Sequence, residues 1–433
     1  MSTFIKKNIV KAKDFAQIKS VKDISWMIGA NILIKPFQVV KSFVVARYLG
    51  PEDYGILKSV ELIQMLNKFG DLGFNSTVIR EVGTFKKDQA EIQEIKNNAY
   101  SGEIILTFVL FVIGVISNFF FESPVIRYAI ILSSIGLFTL KIHNLFTSEA
   151  IINKRFKLIS KLIIIQGIIN SIVIISTVPF LKIYAVLTVP ILSTLILIIV
   201  YFKRLGIPFK FKFNRRRFKN ILRTSIKFTS GTLAFGVFRY TERIIVISMI
   251  GLQAVGFFGF ADTILALFVT IFLTNIKVRK MDILEDLGKN KFSKVHQIVM
   301  RESAILTVIS IIVVSCAMIG ISILIPLFLD KWVNGILVAQ IFLLILPLKV
   351  IDSYVITVVK SPIVDKLLYS PVLQLIATAI LLVGSYTLKQ FGVLSLINFI
   401  YLDIFAYAVV HLSWLYIYYK EYYKPFVRTQ VIN

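Results

Sequence analysis

Twelve apolar stretches, each long enough to cross a bilayer, follow one another along this chain of 433 residues. A helix needs about 20 apolar residues to cross the hydrocarbon layer. Hydrophobic residues make up 57% of the chain, which is more than a soluble core can bury. The sequence therefore predicts an all-α polytopic membrane protein with about 12 transmembrane helices. The stretches lie near 24–47, 54–79, 99–121, 126–148, 159–180, 183–203, 225–250, 254–276, 302–328, 334–359, 364–388 and 392–419.

The positive charge alternates with these spans. If the N-terminus is cytoplasmic, the inward segments contain most of the 49 Lys and Arg residues. The outward loops hold only Arg127, Lys182, Lys331 and Lys389. This is the bias that the positive-inside rule describes, so we expect a multi-pass protein with both termini cytoplasmic. The net charge of +25 then indicates contact with anionic lipids of the inner leaflet rather than binding of nucleic acid.

One short glycine pattern occurs twice. Leu49-Gly50-Pro51-Glu52-Asp53-Tyr54-Gly55 links the first two spans, and Ile250-Gly251-Leu252-Gln253-Ala254-Val255-Gly256 links the seventh and eighth. A repeat of this kind is typical of transporters that bind a substrate between two pseudo-symmetric six-helix lobes. The predicted divisions are a basic cytoplasmic segment at 1–22, an N-lobe at 23–203, a basic linker at 204–224, a C-lobe at 225–419 and a cytoplasmic C-tail at 420–433.

Several basic residues lie deep inside predicted spans, where each costs at least about 2.5–3.5 kcal/mol. Lys35, Lys41 and Lys141 have no acid at helical pair spacing in their own span. We therefore expect them to line a solvated cationic cavity suited to an anionic group. Structural pairing is the alternative for charges that have a local partner at helical spacing, such as Arg239 with Glu242.

The acidic residues of the second half suggest ion coupling. Asp262 and Asp403 are deep in their spans without a base at helical pair spacing, and Asp352 lies in the tenth span. Buried carboxyl groups can exchange protons near neutral pH, so these three residues are candidates for coupling a proton or a sodium ion to transport.

Sequence motifs for catalysis are missing. The chain has no phosphate-binding loop, no HExxH, no Cys/His cluster with zinc spacing and no GxSxG elbow. The outward loops are too short for a catalytic domain. We expect no enzyme activity, no catalytic residue, no cofactor and no metal site.

The motif residues bear a family resemblance. Four segments resemble those of polysaccharide-export flippases of the Wzx type. In the first half they are Val45-Ala46-Arg47-Tyr48-Leu49-Gly50-Pro51-Glu52-Asp53-Tyr54-Gly55 and Gly70-Asp71-Leu72-Gly73-Phe74. In the second half they are Glu242-Arg243-Ile244-Ile245 and Val255-Gly256-Phe257-Phe258. Flippases of this type belong to the multidrug/oligosaccharidyl-lipid/polysaccharide exporter (MOP) superfamily. The resemblance implies a flippase in the prokaryotic plasma membrane that moves an undecaprenyl-diphosphate-linked oligosaccharide outward by alternating access. It also adds Arg239 and Arg243 to the cationic cavity, and it implies the polymerase and glycosyltransferases of the same pathway as partners.

Two alternatives remain open at this point. A multidrug and toxic-compound extrusion antiporter shares the superfamily fold but typically carries an acid in its first span, where this chain has Lys35 and Lys41. A membrane enzyme of the same pathway, such as a repeat-unit polymerase or a glycosyltransferase, would need a large extramembrane loop.

Overall fold

The computed structural model describes residues 19–75, 77–79, 89–153, 155–206, 209–361 and 363–428. The predicted N-terminal segment 1–22 and C-tail 420–433 lie partly outside these ranges. Within them the ordered elements are helices, and no β-strand occurs in this described part of the chain. The prediction of an all-α protein is confirmed.

The helices follow the apolar stretches. They are α1 Lys19–Asp71, α2 Gln89–Ser117, α3 Pro124–Ile152, α4 Phe156–Leu181, α5 Ile183–Leu205, α6 Arg215–Ile245, α7 Leu252–Gly288, α8 Phe292–Phe328, α9 Ile336–Leu343, α10 Ile345–Ile351, α11 Ser353–Val359, α12 Tyr369–Gln390 and α13 Leu396–Tyr418. Short 3₁₀ helices cover Asn118–Phe120 and Asp330–Gly335, and π-helical turns cover Val246–Ile250 and Tyr419–Arg428.

Nine helical segments among the described residues are long and apolar enough to cross a membrane. The predicted first, second and seventh spans fall on α1 and α6, which are less apolar or carry more charge than those nine. Long helices suit this environment because every backbone hydrogen bond is made within the segment, so lipid meets no unpaired polar group.

The apolar surface also fits a lipid solvent. On α8, Ile319 is 64% exposed and Leu327 is 69% exposed, whereas Ile321 and Ile325 of the same helix are buried. Large aliphatic side chains exposed along one face of a helix would be unfavourable in water, but lipid tails are as apolar as these side chains.

In both copies of the glycine pattern, the first glycine interrupts the helical backbone. Gly50 breaks α1 with φ 71° and ψ 173°. Gly251 ends the turn after α6 with φ 125° and ψ 173°. These positive φ values lie in a region that L side chains rarely adopt, so glycine is needed at both positions. The common break agrees with the internal repeat predicted from the sequence.

The chain divides into two compact units. Unit 1 contains Met1–Val45 and Gly70–Ser225, and unit 2 contains Ala46–Phe69 and Ile226–Asn433. In unit 1, α3 packs on α2 and α5, and α4 packs on α5. In unit 2, α7 packs on α9, α8 on α10 and α12 on α13. The second part of α1 thus belongs to unit 2, while the division into lobes at 23–203 and 225–419 stays a prediction.

Candidate functional site

A group of charged side chains in unit 2 begins on α6. Its sequence places Arg239, Glu242 and Arg243 one helical turn apart, so the three side chains share one face. All three are buried: Glu242 is 0% exposed, Arg239 7% and Arg243 6%. Burial at this level requires partners for each charge, because an unpaired ion in a low-dielectric interior is strongly unfavourable.

Arg239 has three partners on different elements. Its Nη2 donates to Asp262 Oδ2 of α7 at 2.5 Å. Its Nη1 lies 2.5 Å from Glu242 Oε2 and donates to the Tyr407 hydroxyl of α13 at 3.3 Å. A planar guanidinium can meet several acceptors at once, which a lysine ammonium does less well. Arg239 therefore ties α6, α7 and α13 together.

Arg243 lies between two carboxylates. Its Nη2 is 3.4 Å from Asp262 Oδ2, and its Nη1 is 3.4 Å from Glu61 Oε2. The Nη1 also donates to the carbonyl oxygen of Lys58 at 3.1 Å. Glu61 in turn accepts from Lys58 Nζ at 2.9 and 3.0 Å. The cluster is thus a shared network in which Asp262 and Glu61 each contact two bases.

Asp403 borders this network from α13. It is fully buried, and its carboxyl group interacts with the carboxyl group of Glu242. The charged groups around it are those of Glu242, Arg239 and Lys349. The Lys349 ammonium lies 4.5 Å from the centre of the Tyr407 ring, a cation–π contact.

Asp352 forms a separate pair. Its Oδ2 lies 2.6 Å from His411 Nδ1, and both side chains are buried. The His411 ring stacks on Tyr407, with centroids 6.0 Å apart and planes at 9°. Because Tyr407 also accepts from Arg239, this ring joins the pair to the arginine network.

The predicted lysines all lie in unit 1 and differ in their surroundings. Lys35 and Lys41 on α1 are half-buried. Lys141 on α3 is buried, with its Nζ 2.8 Å from Glu103 Oε1 of α2. Asn75 Nδ2 donates to the same Glu103 oxygen at 2.7 Å. Lys141 has no acid at helical pair spacing on its own helix, and the neighbouring helix supplies one.

A second ion pair runs parallel to this one. Lys96 of α2 lies 2.8 Å from Glu149 of α3. On α2, Lys96 precedes Glu103 by two turns, and on α3, Lys141 likewise precedes Glu149. In an antiparallel helix pair this order brings Lys96 to Glu149 and Glu103 to Lys141. The matching spacing of base and acid on the two helices is a sequence signal for this pairing. The signal is visible only when the two helices are compared with each other.

The structure brings some predicted residues together and leaves others in separate groups. Arg239, Arg243 and Asp262 are in direct contact, and Asp403 borders them. The sequence shows Lys58 as a local partner for Glu61 and gives no signal for Tyr407, because contacts between distant helices have no local spacing. Among the described residues, no group of three His, Cys, Asp or Glu side chains is arranged to hold a metal ion.

The comparison with known families decides the relationship. Residues 20–279 match the family described as polysaccharide biosynthesis protein, which is more than half of the chain. The chain belongs to this polysaccharide biosynthesis family. Membership confirms the resemblance that the motif residues indicated. No curated protein matches the chain.

Solved structures similar to this family member share its fold. A MATE family multidrug resistance transporter of the MOP superfamily, in an inward-facing conformation, has a TM-score of 0.71 at 15% identity, over 89% of this chain and 94% of that one. The lipid II flippase MurJ, in an inward closed conformation, has a TM-score of 0.69 at 13% identity, over 91% of this chain and 87% of that one. A MOP superfamily transporter from Pyrococcus furiosus, described as having a binding pocket of reverse polarity, has a TM-score of 0.61 at 15% identity, over 92% and 94% of the two chains. At these identities the likeness establishes the MOP fold.

Proposed function

We propose that this protein is a flippase that moves an undecaprenyl-diphosphate-linked oligosaccharide repeat unit from the cytoplasmic to the outer leaflet for cell-surface polysaccharide biosynthesis. Membership of the polysaccharide biosynthesis family supports the pathway. The fold shared with a lipid II flippase supports the type of movement. The single observation that carries the proposal is the pair of buried arginines, Arg239 and Arg243, on one face of a membrane helix.

The arginines suit the diphosphate chemically. A guanidinium donates two parallel hydrogen bonds to phosphate oxygens, and it keeps its charge in a low-dielectric setting. Lys35 and Lys41, half-buried on α1, would add positive charge for the same group. Lys141 would reach a substrate only after leaving Glu103, so its contribution requires a rearrangement of unit 1.

The proposed setting follows the predicted topology. The protein would lie in a prokaryotic plasma membrane with both termini in the cytoplasm, and its basic inner segments would contact anionic lipids. Transport would proceed by alternating access between the lobes at 23–203 and 225–419. The polymerase and glycosyltransferases of the pathway would be its partners. No part of this mechanism requires catalysis by the chain itself.

Ion coupling would use the acids of unit 2. Asp262 holds both arginines, so protonating it would weaken both ion pairs and release guanidinium groups for the diphosphate. Asp403, buried beside Glu242, and Asp352, paired with His411, are the other proposed ion-binding residues. Inward movement of a proton or a sodium ion would then drive outward movement of the lipid-linked sugar.

The test is flipping by purified protein in proteoliposomes. The probe is an NBD-labelled polyprenyl-diphosphate lipid that carries one sugar, and dithionite quenching reports the outer leaflet. Flipping is compared under an imposed proton gradient, under an imposed sodium gradient and without a gradient, which identifies the coupling ion. Arg239→Gln should abolish flipping, and Lys35→Gln should lower it more than Lys35→Arg. Lys389→Gln, at an exposed position in the last turn of α12, serves as the matched control.

Normal flipping by Arg239→Gln would overturn the arginine site. Gradient-independent flipping that is unchanged in Asp262→Asn and Asp403→Asn would overturn the coupling role. Complementation of strains that each lack one flippase, scored by the surface polysaccharide restored, tests the pathway in cells and identifies the sugar class.

A multidrug antiporter is the second candidate, because the fold is shared with a MATE family transporter. The two functions give opposite results in one experiment. An antiporter would lower drug susceptibility when expressed in an efflux-deficient strain and would restore no surface polysaccharide. The flippase would do the reverse.

A further inference from the structure

The two copies of the glycine pattern touch each other within unit 2. A Cβ added to Gly55 would lie 2.2 Å from the carbonyl oxygen of Leu252. A Cβ added to Gly256 would lie 1.9 Å from the carbonyl oxygen of Pro51. Pro51 and Leu252 each follow the first glycine of their copy. The second glycine of each copy therefore packs against the equivalent residue of the other, as expected of two helices related by a local two-fold axis.

The number of residues that separates Gly50 from Gly251 also separates Lys58 from Gly259 and Glu61 from Asp262. These residues are therefore equivalent positions of the two copies. The Lys58 stem lies over Gly259, where an added Cβ would be 2.4 Å from Lys58 Cγ. Glycine at this position thus leaves room for the lysine that the other copy carries. One turn further, both copies carry an acid, and these two acids both contact Arg243.

We propose that Glu61 and Asp262 are repeat-related carboxylates that together position Arg243, so that Glu61 is a positioning residue for the anionic substrate. The ion-pair distances from Arg243 to the two acids are equal, 3.4 Å each, and the acids approach different nitrogens of the guanidinium. The substrate part of this inference rests on the proposed function, in which Arg243 binds the diphosphate.

Both acids lie 3.4 Å from Arg243, and exposure together with the remaining contacts makes Glu61, rather than Asp262, the carboxylate that a phosphate displaces. Strong charge-assisted hydrogen bonds are about 2.7–2.9 Å long, so the contact of 3.4 Å between Arg243 and Glu61 is loose. The Glu61 side chain is 30% exposed, whereas Asp262 is 18% exposed. Glu61 also keeps its contact with Lys58 at 2.9 Å when it leaves Arg243, so its charge stays paired.

The backbone holds Arg243 while this exchange occurs. Its Nη1 donates to the Lys58 carbonyl oxygen at 3.1 Å, and the Tyr240 hydroxyl, one turn earlier on α6, donates to the carbonyl oxygen of Leu62. These bonds do not depend on the Glu61 carboxylate. Replacing Glu61 should therefore change the charge around Arg243 without separating α6 from the second part of α1.

The first experiment measures the pairing without any transport. Thermal unfolding of purified protein gives a double-mutant cycle for Glu61→Gln, Arg243→Gln and the combined variant. The matched control is Glu91→Gln with Arg217→Gln, a more exposed pair at 3.3 Å in unit 1. The cycle for Glu61 and Arg243 should show a clear coupling because Arg243 is buried, and the more exposed pair should show less because solvent screens it. An additive result for Glu61 and Arg243 would overturn the inference.

The second experiment measures anion binding. Inorganic pyrophosphate titrated into detergent-solubilised protein should bind Glu61→Gln about tenfold more tightly than wild type, the size expected when one charged competitor is removed. In flipping assays the same variant should lower both KM and kcat, because the anion binds better and leaves more slowly. Glu61→Asp, which keeps the charge on a shorter side chain, should lie between wild type and Glu61→Gln. A role in folding alone would reduce the amount of protein and leave KM unchanged, and that result would overturn the positioning role.

The two experiments separate this inference from the proposed function. If wild-type protein flips no diphosphate lipid, the flippase function fails, while the double-mutant cycle still decides whether Glu61 positions Arg243. If Glu61→Gln does not accumulate in the membrane, Glu61→Asp in the same cycle replaces it. The shorter side chain should then weaken the coupling to Arg243, and a coupling equal to wild type would count against the inference.

Discussion

The two units pair their buried charges in different ways. In unit 1, Lys141 with Glu103 and Lys96 with Glu149 join the same two helices through lysine–glutamate pairs at 2.8 Å. In unit 2, Arg239 and Arg243 share Asp262, and each also contacts another acid. The unit 1 pairs hold two helices in register. The unit 2 network connects several helices through side chains that have more than one partner.

This difference shows which buried charges can exchange partners. A lysine ammonium is a compact charge, so losing its carboxylate leaves it costly in a dry interior. A guanidinium shared by two acids keeps one of them when the other moves away. A charge inside a span is therefore a weak sign of a ligand site by itself, and sharing between helices is a stronger sign.

The largest expected effect lies in unit 1. Glu103→Gln removes the buried carboxylate that pairs with Lys141, and breaking a buried pair costs about 3–5 kcal/mol. The variant should lose most of its folded protein, measured by membrane levels and thermal unfolding. Combining Glu103→Leu with Lys141→Met should restore much of the loss, because an apolar pair needs no desolvation of charge. Normal levels with failed flipping would instead give Lys141 a role in substrate binding.

A second test compares close glycine contacts in the two units. Gly256→Ala in unit 2 meets a backbone oxygen at 1.9 Å, whereas Gly102→Ala in unit 1 meets the Phe218 ring at 2.1 Å. Overpacking costs about 1–3 kcal/mol, and a ring can move more easily than a backbone. Gly320→Ala, with open space around it, should be neutral or stabilising. Thermal unfolding should show the largest loss of stability for Gly256→Ala, a smaller loss for Gly102→Ala and none for Gly320→Ala. Equal losses at Gly256 and Gly102 would contradict the close backbone contact at Gly256.

A third test separates charge from shape in the arginine network. Arg239→Lys keeps the positive charge but cannot meet Asp262, Glu242 and Tyr407 together. Flipping should fall about tenfold, the effect of losing roughly one charged hydrogen bond. The matched change in unit 1, Lys141→Arg, should affect folding rather than the flipping rate per molecule. Wild-type flipping by Arg239→Lys would show that the network needs charge alone.

The smallest effect is expected at an ion pair outside the spans. The hydrogen bond from Lys294 to Asp286, at 2.7 Å, lowers the pKa of Asp286 below its usual 3.8, and the neighbouring lysines add to this. A lowered pKa in the folded state stabilises the protein above pH 3.8 and loses that contribution as the pH falls through the folded value. Asp286→Asn should lower the unfolding temperature slightly at pH 7 and not at low pH, and salt should reduce the difference. A large effect at high salt would contradict an exposed pair.

The sequence alone was sufficient to predict the all-α membrane fold and the family. Long apolar stretches must become helices in lipid, because no other open structure satisfies the backbone there. The glycines at positions 50 and 251 break their helices for an equally local reason, since their backbone angles exclude side chains. These features depend only on neighbouring residues and on the solvent.

The tertiary structure decided which charges are partners. Lys141 has no acid at helical pair spacing on its own helix, yet Glu103 reaches it from α2. Glu61 has a local partner in Lys58, yet it also contacts Arg243 of α6. Such contacts depend on which helix faces meet and in what register, and side-chain spacing within one helix contains no information about that. Buried charges must find partners, but only the packing of distant helices selects them.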